Sequence, residues 1–157
     1  MALINRCFTN QQGMAVQFLW RIHVIAARVA ALALFASQFT WVIFAVCGAH
    51  WLAMFAWIIS MRTTFCDNRC EELGYNAVLA IMYIFCYFNP VDSPTRYRYT
   101  FFYSFIFLEN SFLLLFWWLR AGDLWYRSAA ISVHYVAFFV GIVFMVITCE
   151  SCNMTEF

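Results

Sequence analysis

The sequence predicts an all-α multipass membrane protein, a single membrane domain over residues 1–157 built as a bundle of about five hydrophobic helical segments. Hydrophobic residues make up 66% of the chain and charged residues 11%, and the mean hydropathy is +0.76. Soluble domains are about 45–50% apolar and about 25% charged. The longer apolar runs also approach the roughly 20 residues that cross a bilayer core as a helix.

Five apolar segments follow one another along the chain, at approximately 13–37, 39–60, 73–88, 99–119 and 128–148. The first two are joined without a charged loop, since only Ser37, Gln38 and Thr40 interrupt the apolar run there. A single straight helix from Val16 to Ile59 would be about 66 Å long, about twice the thickness of the hydrocarbon core. The chain must therefore turn near residues 37–40. The first segment is either a full span or a short re-entrant half-helix.

Three short polar loops separate the later segments, at residues 61–72, 89–98 and 120–127. The loop at 89–98 contains Pro90 and Pro94, which end the flanking helices. Each loop carries two arginines and no lysine. Because the positive-inside rule counts these residues, charge alone does not select an orientation.

The fourth segment carries Glu109 and Asn110 in the middle of its apolar run. An acidic side chain at the centre of a spanning helix costs roughly 2.5–3.5 kcal/mol on insertion scales. Such a helix normally turns the acid toward the protein interior or toward a water-filled cavity. Glu109 is therefore the strongest single indication of function in the sequence.

Polar residues in the first segment share one helical face. Gln17, Arg21 and Arg28 are spaced i, i+4 and i+11. Arg21 is near enough to the segment end to extend to the membrane surface, whereas Arg28 lies deeper. Arg28 and Glu109 are the natural ionic pair. Such a pair is either a structural salt bridge that fixes helix register or part of a lipid or ion path.

A second polar stripe runs along the third segment. Its members are spaced i, i+4, i+11 and i+15, and they are Glu72, Asn76, Tyr83 and Tyr87. Together with the residues of the first and fourth segments they describe a bundle with a polar, partly ionic seam.

Cofactor, metal and nucleic-acid functions are not favoured. The three histidines, His23, His50 and His134, lie on three segments without a repeated spacing, and Cys149 and Cys152 form one isolated pair. The chain shows no nucleotide-binding loop and no catalytic triad order, so we expect neither a cofactor nor an enzyme. A net charge of +1 gives no electrostatic case for nucleic acid. Cys66 and Cys70 could form a disulfide if their loop is extracellular.

Several stretches resemble the second half of XK-related (XK/Kell blood-group-related) membrane proteins. The similarity runs from Gln17 to Met145, and its most specific parts are Trp20-Arg21 with Arg28, Leu108-Glu109-Asn110 and the runs YIFCYFN and TRYR. It is carried by four stretches, WRIHVIAARVAALALFAS, CGAHWLAMFAW, TTFCDNRCEELGYNAVLAIMYIFCYFN and TRYRYTFFYSFIFLENSFLLLFWW. Polar residues match inside apolar runs, where chance agreement is rare.

The resemblance implies a function that composition does not. Family members contain two related halves with spanning helices and re-entrant half-helices, and several scramble phospholipids between leaflets, exposing phosphatidylserine on cells in apoptosis. In that setting we expect phospholipid headgroups as partners and the plasma membrane as the location. The 89–98 loop and the C-terminus would lie in the cytoplasm. The arginines of the seam would meet phosphate, and Glu109 and Asn110 would meet amines or water.

The chain also departs from the family. It corresponds to the C-terminal half alone, and residues 149–157 contain no Asp-x-x-Asp cleavage site of caspase-activated members. Two alternatives stay open beside scrambling. The first is a non-transporting subunit that pairs with another membrane protein or with itself, as the founding member pairs with a membrane metalloprotease through a disulfide. The second is a small channel or transporter.

Overall fold

The computed structural model describes residues 11–61, 68–87 and 96–153, which form helices and no strand. In chain order the five helices are α1 (Gln11–Gln38), α2 (Val42–Ser60), α3 (Arg69–Met82), α4 (Arg96–Arg120) and α5 (Arg127–Asn153). The predicted all-α class is confirmed.

Four helices in the described part of the chain are long and apolar enough to cross a membrane. The qualifying stretches are Met14–Gln38, Val42–Ser60, Tyr97–Arg120 and Arg127–Thr148. This finding confirms the multipass membrane class.

The turn between α1 and α2 lies where the sequence places it. α1 continues to Gln38, and α2 begins after three residues. The Ser37 hydroxyl donates to the Leu34 carbonyl at 2.6 Å, and the Phe39 amide donates to the Phe35 carbonyl at 2.9 Å, which satisfies one of the free carbonyls at the helix end. With 28 residues α1 is about 42 Å long, so the first segment is a full-length helix and not a half-helix.

The shortest of the five described helices is α3. It has 14 residues and a length of about 21 Å, less than the core thickness of about 30 Å. The apolar sequence continues toward residue 88, but the helix ends at Met82. The chain then turns, and the Ile84 and Phe85 amides donate to carbonyls three residues back. The apolar segment predicted at 73–88 therefore extends beyond the end of the helix at Met82.

The chain divides into two compact units. Unit 1 comprises residues 1–31 and 121–157, and unit 2 comprises residues 32–120. The described helices of unit 1 are the first part of α1 and all of α5. Unit 2 holds the end of α1 with α2, α3 and α4.

Unit 1 is packed through a close approach of α1 and α5. A Cβ atom added at Gly141 would lie 2.7 Å from Val24 Cγ2 and 3.3 Å from the Val24 backbone nitrogen. Val24, Ala27 and Phe138 are buried in this unit. A glycine at this point of α5 lets the helix backbone approach α1, as small residues do in membrane bundles.

Unit 2 has an apolar core at the end of α1. Leu32 and Phe35 of α1 and Leu113 of α4 form its buried centre, and the partly buried side chains around it are Phe39, Ile43, Val46, Cys47 and Ile84. The α2–α3 pair is also joined by a hydrogen bond from Trp51 Nε1 to the Ala77 carbonyl at 3.1 Å. This core positions α2 and α4 for the polar contacts between them.

Candidate functional site

A short polar contact in unit 2 joins α2 to α4. His50 Nδ1 lies 2.6 Å from Glu109 Oε2, and His50 Nε2 lies 3.1 Å from the Tyr83 carbonyl oxygen. His50 is 3% exposed, and the Glu109 side chain is 17% exposed. The imidazole therefore links α2, α4 and the end of α3 in a water-poor environment.

Helical spacing explains why His50 faces inward. His50, Met54 and Ile58 are the buried residues of α2 and lie four residues apart, so they form one stripe on the helix. The stripe faces the rest of unit 2. On α4, Asn110 is fully buried and the Glu109 side chain is mostly enclosed, so both lie toward the interior of unit 2.

Arg28 lies in unit 1, where it is fully buried. The neighbouring carbonyl of Ala27 accepts a hydrogen bond from His134 Nδ1 of α5 at 3.0 Å. Arg28 is close enough to His134 for its positive charge to act on the imidazole. Unit 1 thus encloses a guanidinium and an imidazole between two apolar helices. The ionic pair of Arg28 with Glu109 stays a prediction.

The other polar residues of the first segment are less buried. Gln17 and Arg21 are both half-buried. The Arg21 guanidinium carbon lies 5.5 Å from the centre of the Trp20 ring, within the range of a cation–π contact. The polar face of α1 therefore becomes more enclosed from Gln17 toward Arg28.

The stripe on α3 shows the same gradient. Glu72 is half-buried, Asn76 is 4% exposed, and Tyr83 and Tyr87 are essentially enclosed. The Tyr83 and Tyr87 rings lie 5.1 Å apart. Arg98 of α4 lies close enough to Tyr87 for its positive charge to act on the hydroxyl.

An aromatic cluster surrounds these tyrosines. Trp57 of α2 packs against Tyr83, Tyr87 and Phe102, with ring centres 5.8–6.5 Å apart. It also lies 5.2 Å from Phe101. Such ring pairs each contribute about 0.5–1.5 kcal/mol beyond area burial. The cluster fixes the chain where α3 ends.

Unit 2 contains a pocket of about 410 Å³. Its surface is apolar throughout, because Glu109 contributes only carbon atoms to it, and the lining residues are Phe35, Phe39, Val42, Val46, Glu109, Phe112, Leu113 and Phe116. The volume falls within the roughly 300–1,000 Å³ of small-molecule sites. Phe112 and Phe116 are more than half exposed, so part of the pocket wall belongs to the outer surface of α4. This arrangement suits an apolar group that enters from the side.

The cysteine prediction falls partly outside the described residues. Cys70 is exposed near the start of α3, and Cys66 lies in the undescribed stretch between residues 61 and 68. Their disulfide stays a prediction. Within the described residues no group of three or more His, Cys, Asp or Glu side chains could hold a metal ion.

Sequence reasoning missed the partner of Glu109 within its unit. The sequence offers no partner for His50, and it places Arg98 only as one of the two arginines of the 89–98 loop. The available signal was His50 itself, a lone polar residue inside the apolar run CGAHWLAMFAW. That run showed that His50 needs a partner, but 59 residues separate His50 from Glu109.

Comparison with known families gives one match that covers nearly the whole chain. Residues 5–152 match a family described as XK-related protein. All the polar residues of α1, α2, α3 and α4 described above fall within this match.

Proposed function

This chain belongs to the XK-related family, and on that premise we propose that it takes part in moving phospholipids between the leaflets of the plasma membrane, exposing phosphatidylserine during apoptosis. The observation that carries the proposal is the burial of polar side chains within helices of spanning length, above all Arg28. Burying a guanidinium in such a helix costs several kcal/mol, and intramembrane charges usually serve transport or a closely related role.

Two kinds of surface support this function. A phospholipid has a charged headgroup and apolar tails, and the two need different environments. Arg28, buried in unit 1 near His134, has the positive charge that attracts a phosphate. The pocket of unit 2 offers apolar walls to a tail, with Glu109 as its single acidic residue. Scrambling needs no cofactor and no covalent chemistry, so the protein is a transporter of lipid and not an enzyme. Its C-terminus would lie in the cytoplasm.

The test is lipid flipping by the purified full-length chain in liposomes. Dithionite quenches only the fluorescent phospholipid in the outer leaflet. A loss of fluorescence larger than the outer-leaflet share of this lipid therefore reports scrambling. We expect wild-type protein to flip lipid and Arg28→Gln to do so much more slowly. Arg69→Gln is the matched control, because Arg69 is exposed at the start of α3.

A second variant tests the proposal independently if Arg28→Gln does not fold. Val42→Trp places a large ring in the wall of the pocket and leaves every buried polar residue in place. We expect it to slow flipping by filling tail space. The proposal would be overturned if, with folded wild-type protein in the liposomes, dithionite quenched only the fluorescent lipid of the outer leaflet. Ion current without lipid flipping would identify a channel instead.

A further inference from the structure

The pocket of unit 2 matches the depth of one bilayer leaflet. Its wall on α4 runs from Glu109, near the middle of this helix of spanning length, to Phe116. Arg120, the last residue of α4, follows Phe116 by one helical turn on the same face. At 1.5 Å per residue, Glu109 and Arg120 are about 16.5 Å apart along the helix axis. Half of a hydrocarbon core of about 30 Å is about 15 Å, so the pocket and Arg120 together extend from mid-membrane to one surface.

The Arg120 end of the pocket is aromatic and carries a positive charge. Phe39, between α1 and α2, lines the pocket, and its ring stacks on the ring of Phe35 with centres 4.8 Å apart. The Arg120 guanidinium carbon lies 5.9 Å from the centre of the Phe39 ring, within the range of a cation–π contact. The Arg120 side chain is exposed. Its guanidinium is therefore placed to meet a ligand at this end of the pocket.

The pocket opens toward the lipid side of the helices. Val42 of α2 and Phe112 and Phe116 of α4 line the pocket, and each is about half exposed. The surface of the pocket consists of carbon atoms. A ligand that enters from the bilayer thus places an apolar chain in the pocket and a polar group at Arg120.

We propose that the pocket and Arg120 together bind a phospholipid with an anionic headgroup, with one tail along the pocket and the headgroup at Arg120. A guanidinium donates to two phosphate oxygens at once, and its charge attracts a headgroup of net negative charge. A zwitterionic headgroup offers the same phosphate beside a cation of its own, so Arg120 attracts it less. This inference rests on the proposed function for the lipid tail in the pocket and adds the class of lipid that binds there.

The test is photochemical labelling of the purified full chain in non-ionic micelles. Two phospholipid probes have the same tails, with a diazirine in one tail, and differ only in their headgroup. Phosphatidylglycerol is the anionic probe and phosphatidylcholine the zwitterionic one. Mass spectrometry locates the label, which we expect on the pocket-wall peptides of α2 and α4. Labelling by phosphatidylglycerol should be stronger by up to about fivefold, the preference for anionic lipid that one basic residue gives at a membrane surface.

Two variants separate the headgroup from the tail. Arg120→Gln removes the charge at an exposed position and leaves the pocket walls unchanged, so both probes should label the pocket equally. Arg69→Gln removes the same charge at another exposed position of unit 2 and should keep the wild-type preference. Val42→Trp fills the space for the tail and should lose the label from both probes. Leu52→Trp, at an exposed position of α2 outside the pocket lining, should keep it.

The outcomes that would overturn the proposal are distinct. Equal labelling of the wild-type pocket by the two probes would do so, as would an unchanged preference in Arg120→Gln. Labelling by a photoactivatable fatty acid and by neither phospholipid would identify a single-chain ligand instead. A folded dimer without label in the pocket would show that a second copy covers it.

The labelling measures binding and involves no transport of lipid between leaflets. A chain that shows the headgroup preference but flips no lipid therefore contradicts the proposed function alone. A chain that flips lipid without the headgroup preference contradicts this inference alone.

Discussion

Gly141 of α5 provides the sharpest test of packing in unit 1. We consider Gly141→Ala, which adds one Cβ atom. That atom would lie 2.7 Å from Val24 Cγ2, which is shorter by roughly 0.8–1.3 Å than a favourable carbon–carbon contact of about 3.5–4.0 Å. The Val24 backbone nitrogen at 3.3 Å limits how far α1 can yield. Val24 is buried and branched, so its methyl group cannot simply rotate into open space.

The matched control is Gly48→Ala on α2, where an added Cβ meets nothing within 4 Å. Replacing a helical glycine by alanine favours the helix by about 0.8–1.0 kcal/mol at both positions. This gain cancels when the two variants are compared. What remains is the overpacking at Gly141, which typically costs about 1–3 kcal/mol. We expect Gly141→Ala to be less stable than Gly48→Ala by that amount.

The assay is reversible unfolding of the full chain in micelles by a denaturing detergent, followed by tryptophan fluorescence. Val24→Ala combined with Gly141→Ala should recover part of the loss, because it removes the atom in closest contact. If Gly141→Ala and Gly48→Ala have the same unfolding free energy, the close approach of α1 and α5 is refuted.

Two further predictions concern unit 2 and use the same unfolding assay. Trp51→Phe removes the hydrogen bond to the Ala77 carbonyl and should cost about 0.5–1.5 kcal/mol, whereas Trp41→Phe, at an exposed tryptophan, should cost nothing measurable. Trp57→Ala empties the centre of the aromatic cluster and should cost about 3–5 kcal/mol. If Trp57→Ala lowers the free energy of unfolding by no more than Trp51→Phe does, the aromatic cluster is not a stabilising core.

Much of the fold follows from the length of the apolar runs. The run around Glu109 is long enough to cross a bilayer, and α4 spans Arg96–Arg120 as a continuous helix. The turn near Ser37 follows from the same reasoning, because the run before it and the run after it together exceed the membrane thickness. Hydropathy could not give the end of α3. The residues after Met82 are as apolar as those before it, and the chain turns there while the rings of Tyr83 and Tyr87 pack against Trp57.

The site could be predicted only in part, for a physical reason. Helical spacing predicts which side chains share one face of a helix. The polar stripe of the third segment, which ends at Tyr87, could therefore be predicted from the sequence. It gives no information on the rotation of one helix against another. His50 and Glu109 meet because α2 and α4 each turn a particular face inward, and that choice depends on the packing of Leu32, Phe35 and Leu113. An acid in an apolar run therefore predicts that a partner exists but does not identify it.

The contact with His50 changes the choice between the two interpretations of Glu109. A structural salt bridge and a part of a lipid path are alternatives when Arg28 is taken as the partner of Glu109, and that ionic pair stays a prediction. In unit 2 the Glu109 carboxylate contacts His50, and the carbon atoms of the same side chain line the apolar pocket, so one side chain can serve both roles. Because the pocket surface consists of carbon atoms, the pocket can hold a lipid tail without a charged atom against it. The contact with His50 thus makes an acidic residue compatible with an apolar binding site, which a carboxylate without this contact would not be.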